Sequence, residues 1–202
     1  MKKGEGNKNI IITPDAGVSN AFFGGNLHYE SFVMADGYGT AAIHLASNAY
    51  KENERDTWLY PTLYLFRHYV ELTWKDIYIK WKALIDEEVT PEELQGHKLS
   101  NKSFDGLWTW LLSNWPKEDR AKPNRVKRII VDLHKLDKTG QAFRYNQDVN
   151  GRVFRGAETQ LIGYNELVQK MEDVKCFFDG LQGWIGHMLD IKAEMGSEGY
   201  NE

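Results

Sequence analysis

The stretch WLYPTLYLFRHYVELTWKDIYIKWKAL (residues 58–84) places large apolar side chains on most of the circumference of one predicted helix. A helix that is apolar nearly all round is typically buried. Pro61 lies near the predicted start of this helix, where the missing N–H of proline costs little. The sequence therefore predicts a buried central helix over Tyr60–Ile85.

A charged stripe interrupts this apolar helix. Arg67, Glu71 and Lys75 recur every four residues, so they share one face, and His68 lies beside Arg67. Charged groups on a largely buried helix must pair, or must face a partner or a cleft. Two interpretations are open. The stripe is either an intrahelical ladder worth about 0.2–0.5 kcal/mol per pair that solubilises one edge of a bundle, or part of a functional site.

Apolar residues at helical spacing predict four further helices, and strand-like alternation is scarce. The predicted helices besides the central one cover residues 29–52, 104–115, 125–136 and 159–195. In the last of them Gly180, Gly183 and Gly186 indicate a kink. The fold class is therefore all-α, a helical bundle of about five helices. We expect a flexible N-terminal arm (1–26), a bundle domain (27–195) and a disordered tail (196–202).

The connections between the predicted helices differ in character. The acidic connection 86–95 contains Thr90-Pro91-Glu92-Glu93, which is typical of a helix start. Residues 117–128 form a basic connection, and six Lys or Arg against two acids in it can attract a phosphate backbone. Such runs are more often solvated connections. Residues 139–156 form a polar loop flanked by glycines.

Composition narrows the classes of protein that this chain can belong to. A formal net charge of −4 over 202 residues argues against a protein that coats nucleic acid generally, but not against a local basic patch. The single cysteine, Cys176, cannot form an internal disulfide, which favours a reducing compartment. No signal peptide and no apolar run of about 18 residues is evident. We expect a cytoplasmic protein without a membrane segment.

Three patches of the sequence resemble bacterial HEPN-like proteins. They read LFRHYVELTWKDI (65–77), GHKLSNKSFDGLWTWL (96–111) and LDKTGQAFRYNQDVNG (136–151), and the resemblance covers about residues 58–150. In that superfamily an aliphatic helix with an E-x-x-x-K ending precedes a histidine-leucine element. Those positions are Glu71, Lys75, His97 and Leu99 here. The segment Phe143–Tyr145 looks like the signature of a related group of helical proteins.

This resemblance implies RNA or nucleotide binding, or metal-independent RNA cleavage, in toxin–antitoxin pairs or phage defence. Active members of the family form homodimers in which an arginine and a histidine, separated by four to six residues, face a second copy across a cleft. Arginine stabilises the charge that builds on the phosphate, and histidine acts as general acid or base. A partner such as an antitoxin or defence protein is also implied.

Two pairs of residues are candidates for that chemistry. Arg128 and His134 fit the family spacing, although Ile129 replaces the usual polar residue and a long helical region still follows. The alternative is that both lie on the solvent side of an amphipathic helix. Arg67 and His68 are adjacent and do not fit the spacing. A site built on them requires Arg67, Glu71, His97 and Arg144 to converge from separate segments.

Other polar residues are candidate RNA or ligand contacts. They are Lys75, His97, Phe143, Arg144, Tyr145 and Asp148. Arginine flanked by aromatic residues can stack on a base or bind phosphate. In the alternative, Phe143 and Tyr145 are buried as a loop plug and Arg144 pairs with Glu71 or Asp148, while His97 satisfies backbone groups at a turn.

Cofactor motifs are missing from the sequence. There is no Gly-Lys-Ser/Thr of a P-loop, no HExxH and no zinc-ligand spacing among the histidines, and Gly37-x-Gly39 lacks the strand–turn–helix context of a dinucleotide site. We predict no cofactor and no metal, and leave open only a metal site assembled from distant residues such as His68, Glu71 and His97. The functional hypothesis is a HEPN-like RNA-binding protein, with metal-independent endoribonuclease activity as its catalytic form. The alternative is a non-catalytic helical interaction or nucleotide-binding module.

Overall fold

A long central helix contacts each of the other four long helices in the computed structural model of this chain. The structure describes residues 27–95, 102–154 and 161–198. Its elements, in chain order, are α1 (Leu27–Asn48), the central α2 (Arg55–Leu84), the short α3 (Pro91–Leu94), α4 (Lys102–Asn114), a 3₁₀ turn (Lys117–Asp119), α5 (Ala121–Leu136) and α6 (Tyr164–Glu198). Over these ranges no strand forms beyond an isolated bridge between Gln147 and Val153. The predicted all-α bundle of about five helices is confirmed.

The boundaries of two elements differ from prediction. Helix α2 begins at Arg55, so Pro61 lies in its second turn, where proline cannot donate to the carbonyl of Thr57. The basic connection is mostly helical, because α5 already begins at Ala121. Helix α6 continues through Gly180, Gly183 and Gly186, where a kink was predicted, as a single element. No helix within the described ranges is both long and apolar enough to cross a membrane.

Aromatic side chains fill the core between α2, α4 and α6. The ring of Trp74 packs on Phe104 at 4.8 Å between centroids, Phe104 packs on Trp108 at 5.3 Å, and Trp108 packs on Phe177 at 5.8 Å. All four residues are buried. Trp108 of α4 therefore contributes to packing of the core rather than to a stacking surface for bases.

The backbone of α1 approaches a side chain of α2 closely. A Cβ atom placed at Gly39 would lie 2.8 Å from Cδ2 of the buried Tyr69 ring, whereas one at Gly37 would meet nothing within 4 Å. Gly39 therefore lets α1 lie directly against the Tyr69 ring of α2. The helix pair places Tyr38 of α1 beside His68 of α2.

Residues 1–26, 96–101, 155–160 and 199–202 lie outside the described residues. The predicted arm at 1–26 and most of the predicted tail fall there and stay predictions. His97 and Leu99 also fall there. The bundle that the structure describes therefore lies within residues 27–198.

Candidate functional site

The charged stripe of α2 forms a hydrogen-bonded ladder inside the bundle. Nη1 of Arg67 donates to Oε2 of Glu71 at 3.2 Å, and Nζ of Lys75 donates to Oε1 of the same carboxylate at 2.8 Å. Arg67 is only 2% exposed and Glu71 only 4%, while Lys75 is half-buried. The ladder of the first interpretation exists, but its place on a solvated edge is wrong for Arg67 and Glu71.

A carboxylate from the end of α5 completes this ladder. Nε of Arg67 donates to the backbone carbonyl of Asp137 at 3.0 Å and lies 3.8 Å from its Oδ2. Asp137 is 0% exposed, and its Oδ1 accepts the backbone N–H groups of Gln141 and Ala142 at 3.0 and 3.1 Å. Arg67 thus fixes the start of the loop that follows α5, because Asp137 holds both the arginine and the next turn of chain.

His134 lies close to the same arginine. Burial lowers the pKa of its imidazole, and the nearby positive charges of Arg67 and Lys138 lower it further, against the opposing effect of Asp137. Its Nδ1 is buried and has no hydrogen-bond partner among the described residues. The charge of Arg67, from the first candidate pair, therefore acts on His134 of the second.

Arg128 does not accompany His134. Six residues along an α-helix correspond to a rotation of about 120° between the two side chains. Arg128 is exposed and lines a groove on the outer face of α5, whereas His134 is half-buried. Within one chain the arginine and the histidine of the family spacing therefore have different surroundings, and the alternative of a shared solvent side holds for Arg128 but only in part for His134.

The loop after α5 brings a second arginine to the ladder. Gly140 has a φ of 74°, a left-handed conformation that favours glycine. Its carbonyl accepts the Nε–H of Arg144 at 3.1 Å. The guanidinium carbon of Arg144 then lies 5.4 Å from the ring centroid of Tyr64 and 5.4 Å from that of Tyr145. Arg144 is held between two aromatic rings, within the distance of a cation–π contact.

These elements enclose a small pocket of about 70 Å³. It is lined by Tyr64, Arg67, His68, Glu71, Gly140 and Arg144. The predicted convergence of Arg67, Glu71 and Arg144 is therefore observed. Of the described carboxylates, none forms an ion pair with Arg144, so the alternative pairing with Glu71 or Asp148 is wrong.

Two tyrosine rings hold His68 at the wall of this pocket. Tyr38 of α1 meets the imidazole edge-on, with centroids 4.5 Å apart, and Tyr64 lies parallel to it at 5.9 Å. Tyr64 precedes His68 by one helical turn, so both rings follow from the packing of α1 and α2. A half-buried histidine fixed in this way is oriented toward the pocket that it lines.

The remaining loop candidates have separate roles. Phe143 is buried in the core, as the plug interpretation expected, but Tyr145 is 56% exposed, so that interpretation is wrong for Tyr145. Oδ1 of Asp148 accepts the backbone N–H groups of Asn150 and Arg152, both at 2.9 Å. Asp148 therefore shapes the distal turn of the loop and does not line the pocket.

Three residues that shape the candidate site, Tyr64, Asp137 and Gly140, were not predicted from the sequence. The i, i+4 relation between Tyr64 and His68 was available as a signal, and an aspartate followed three residues later by glycine just after a helix is typical of a turn. In the described ranges no three His, Cys, Asp or Glu side chains are arranged to hold a metal ion. Cys176, which lies in the apolar pattern of α6 and could have been expected to pack in the core, is exposed.

Comparisons with protein-family models, with curated proteins and with solved structures gave no match to this chain.

Proposed function

We propose that this chain is a HEPN-like RNA-binding protein that holds one nucleotide of single-stranded RNA at the pocket between α2 and the loop after α5. The observation that carries the proposal is the placement of the Arg144 guanidinium between the Tyr64 and Tyr145 rings, at the mouth of a pocket that also contains Arg67 and His68. RNA recognition commonly combines aromatic stacking with cationic contacts to phosphate.

The size of the pocket decides which part of a nucleotide fits. A volume of about 70 Å³ is well below the roughly 300–1,000 Å³ of pockets that enclose small molecules. We therefore assign the pocket to a phosphate group and assign the base to the exposed face of Tyr145. Around this pocket three cations (Arg67, Lys75 and Arg144) outnumber the two carboxylates of Glu71 and Asp137. The local net charge is therefore positive and favours an anion.

The catalytic form of the proposal uses the histidine at the pocket wall. His68 would take the proton of the ribose 2′-hydroxyl while that oxygen attacks phosphorus, and Arg144 would stabilise the charge on the phosphate. The leaving 5′-oxygen needs a proton from a second acid on the opposite side. A second copy of the chain in a homodimer would supply it, in keeping with the HEPN-like resemblance.

A second candidate is favoured by a different observation. Arg67 and Glu71 are buried and bonded to each other, to Lys75 and to Asp137, so the ladder has a structural role without any ligand. A non-catalytic module that binds a nucleotide or a partner protein, such as an antitoxin, needs only the exposed side chains of Arg144 and Tyr145, which we call the rim.

The deciding experiment incubates the purified protein with single-stranded RNA in the presence of EDTA and follows both binding and cleavage. The variants are Tyr145→Ala, Arg144→Ala and His68→Ala. Arg55→Ala is the matched control for Arg144, because Arg55 lies 5.3 Å from the ring of Tyr50, and His44→Ala is the exposed control for His68.

We expect Tyr145→Ala and Arg144→Ala each to weaken RNA binding about tenfold, since stacking of one base on an aromatic ring is worth about 1–3 kcal/mol. The controls should bind as the wild type does. Cleavage that disappears in His68→Ala while binding persists would support the ribonuclease form. Wild-type affinity in both rim variants would refute the proposed site, and binding without any cleavage would favour the non-catalytic module.

A further inference from the structure

The segment that contains α5 is strongly basic in an otherwise acidic protein. Residues 120–138 contain seven Lys or Arg and two Asp, a net charge of +5 in a chain whose formal net charge is −4. The face away from the core forms an open groove of about 510 Å³, lined by Asn124, Lys127, Arg128, Val131, Asp132 and Lys135. This face lies apart from the pocket assigned above.

The Lys and Arg side chains of this groove form few and weak ion pairs within the chain. Lys127 pairs with Asp105 of α4 at 3.0 Å, and Lys135 pairs with Asp132 at 2.8 Å, in both cases between side chains that solvent reaches. Exposed pairs of this kind contribute little to stability, so an incoming phosphate can replace them. Arg128 has no carboxylate within ion-pair distance in the described part of the chain.

The length of this face suits several successive phosphates. Asn124 and Lys135 are eleven residues apart, which corresponds to roughly 16 Å along the helix axis. A stacked strand advances about 3.4 Å per nucleotide, so about five phosphates span that distance. Lys127, Val131 and His134 follow at i, i+4 and i+7, so they share one edge of the helix.

We propose that the outer face of α5 binds the sugar–phosphate backbone of single-stranded RNA through Lys127, Arg128 and Lys135, as a second contact besides the pocket. This inference rests on the proposed function for the identity of the strand. A backbone contact carries no sequence information, so the groove adds affinity that depends on salt and leaves contact with the base to Tyr145.

The test measures the affinity for a fluorescent single-stranded RNA across a range of salt concentrations, and in parallel the affinity for inorganic polyphosphate, which has no bases. The groove variant is Arg128→Glu with Lys135→Glu. Its control, Lys51→Glu with Lys80→Glu, changes charge equally at exposed or half-exposed positions outside the groove. Arg128→Gln, a milder change at an exposed residue, keeps the test valid if the double variant folds poorly.

We expect the groove variant to bind RNA at least tenfold more weakly at low salt. The slope of log K against log salt should become shallower by about 0.7 for each phosphate that the variant no longer neutralises. Polyphosphate binding should fall in parallel. A Tyr145→Ala variant should lose affinity for RNA but not for polyphosphate.

This experiment distinguishes a failure of the groove proposal from a failure of the pocket proposal. If the groove variant and its control bind both probes as the wild type does, while Tyr145→Ala loses RNA affinity, the groove inference is overturned and the pocket stands. If Tyr145→Ala keeps full RNA affinity while the groove variant loses it, the groove stands and the pocket does not. Binding of the basic face to anionic vesicles or to an acidic protein in preference to RNA would overturn RNA as its occupant.

Discussion

Arg67 and Asp137 are 70 residues apart in the chain and meet in the interior, where Nε of the arginine donates to the carbonyl oxygen of the aspartate at 3.0 Å. The contact joins the middle of α2 to the loop that carries Arg144. Because Glu71 shares the same guanidinium, one buried cation balances two buried carboxylates, with Lys75 as a second, half-buried cation. The shape of the candidate site therefore depends on this single arginine.

Replacement of Arg67 by methionine should be strongly destabilising. The side-chain volume is nearly kept, but Glu71 and Asp137 remain buried without their main cation, and breaking a buried pair in this way costs about 3–5 kcal/mol. Lys75→Ala should cost about 1 kcal/mol or less, since Lys75 is half-buried and water can take its place. Urea unfolding of both variants measures the difference, and equal losses would contradict a special role for Arg67.

The two glycines of α1 offer a matched pair. Gly39→Ala should destabilise the protein by about 1–3 kcal/mol, because its Cβ would lie 2.8 Å from the ring of Tyr69, which is buried and has little room to shift. Gly37→Ala should stabilise by roughly 0.5–1 kcal/mol, because nothing lies near its Cβ and alanine favours the helix. Thermal unfolding compares the two, and stabilisation by both would show that α1 does not pack tightly on α2 at Gly39.

Burial of His134 makes stability depend on pH. Burial first, and then the charges of Arg67 and Lys138, lower the pKa of this imidazole below its ordinary value of 6.5, so the unfolded chain binds the proton more readily than the folded chain. Stability should therefore fall as the pH drops below about 6.5, and the penalty should vanish above it.

A His134→Gln variant should lose this part of the slope between about pH 6.5 and the lower pKa of the folded state, while the exposed His44→Gln should leave it in place. The measurement is the free energy of unfolding in urea at several pH values for the wild type and both variants. The same slope in the wild type and in His134→Gln would show that this histidine titrates normally in the fold.

Much of the bundle could be predicted from local pattern, and the site only in part. Helical spacing of apolar residues found the five long helices, because that spacing follows directly from which face each helix buries. The Arg67–Glu71–Lys75 ladder could also be predicted, because its members are one turn apart. The bond from Arg67 to Asp137 could not, since it depends on how α5 packs on α2 and no spacing within either segment encodes it.

Arg128 and His134 are the opposite case, in which a sequence pattern predicted a pair of residues that the structure separates. Their spacing fits the arginine–histidine pattern predicted from the sequence, yet the rotation of an α-helix carries Arg128 to the outer groove and leaves His134 half-buried on another side of the helix. A sequence motif fixes the number of residues between two groups, but only the surrounding helices decide which environment each group enters.

Glu93 holds the short helix α3 against α2, and this attachment should be sensitive to acid. Its Oε2 accepts the backbone N–H of Thr90 at 2.8 Å, and its Oε1 accepts the hydroxyl of Tyr78 at 2.8 Å and lies 3.2 Å from Nζ of Lys82. The N–H of Thr90 and the hydroxyl of Tyr78 are the main favourable contacts of the charged form. Together with Lys82 they lower the pKa of Glu93 from 4.5 to about 2.

Because the pKa of Glu93 is lower in the folded state, its contribution to stability should be complete above about pH 4.5 and should disappear as the pH falls toward 2. Glu93→Gln should therefore be less stable than the wild type at pH 7, and the gap should narrow across that window. Glu92→Gln, at the exposed neighbouring position, should match the wild type throughout. Urea unfolding between pH 2 and pH 7 tests this, and a gap that stays constant over the window would mean that the charge of Glu93 does not hold α3 in place.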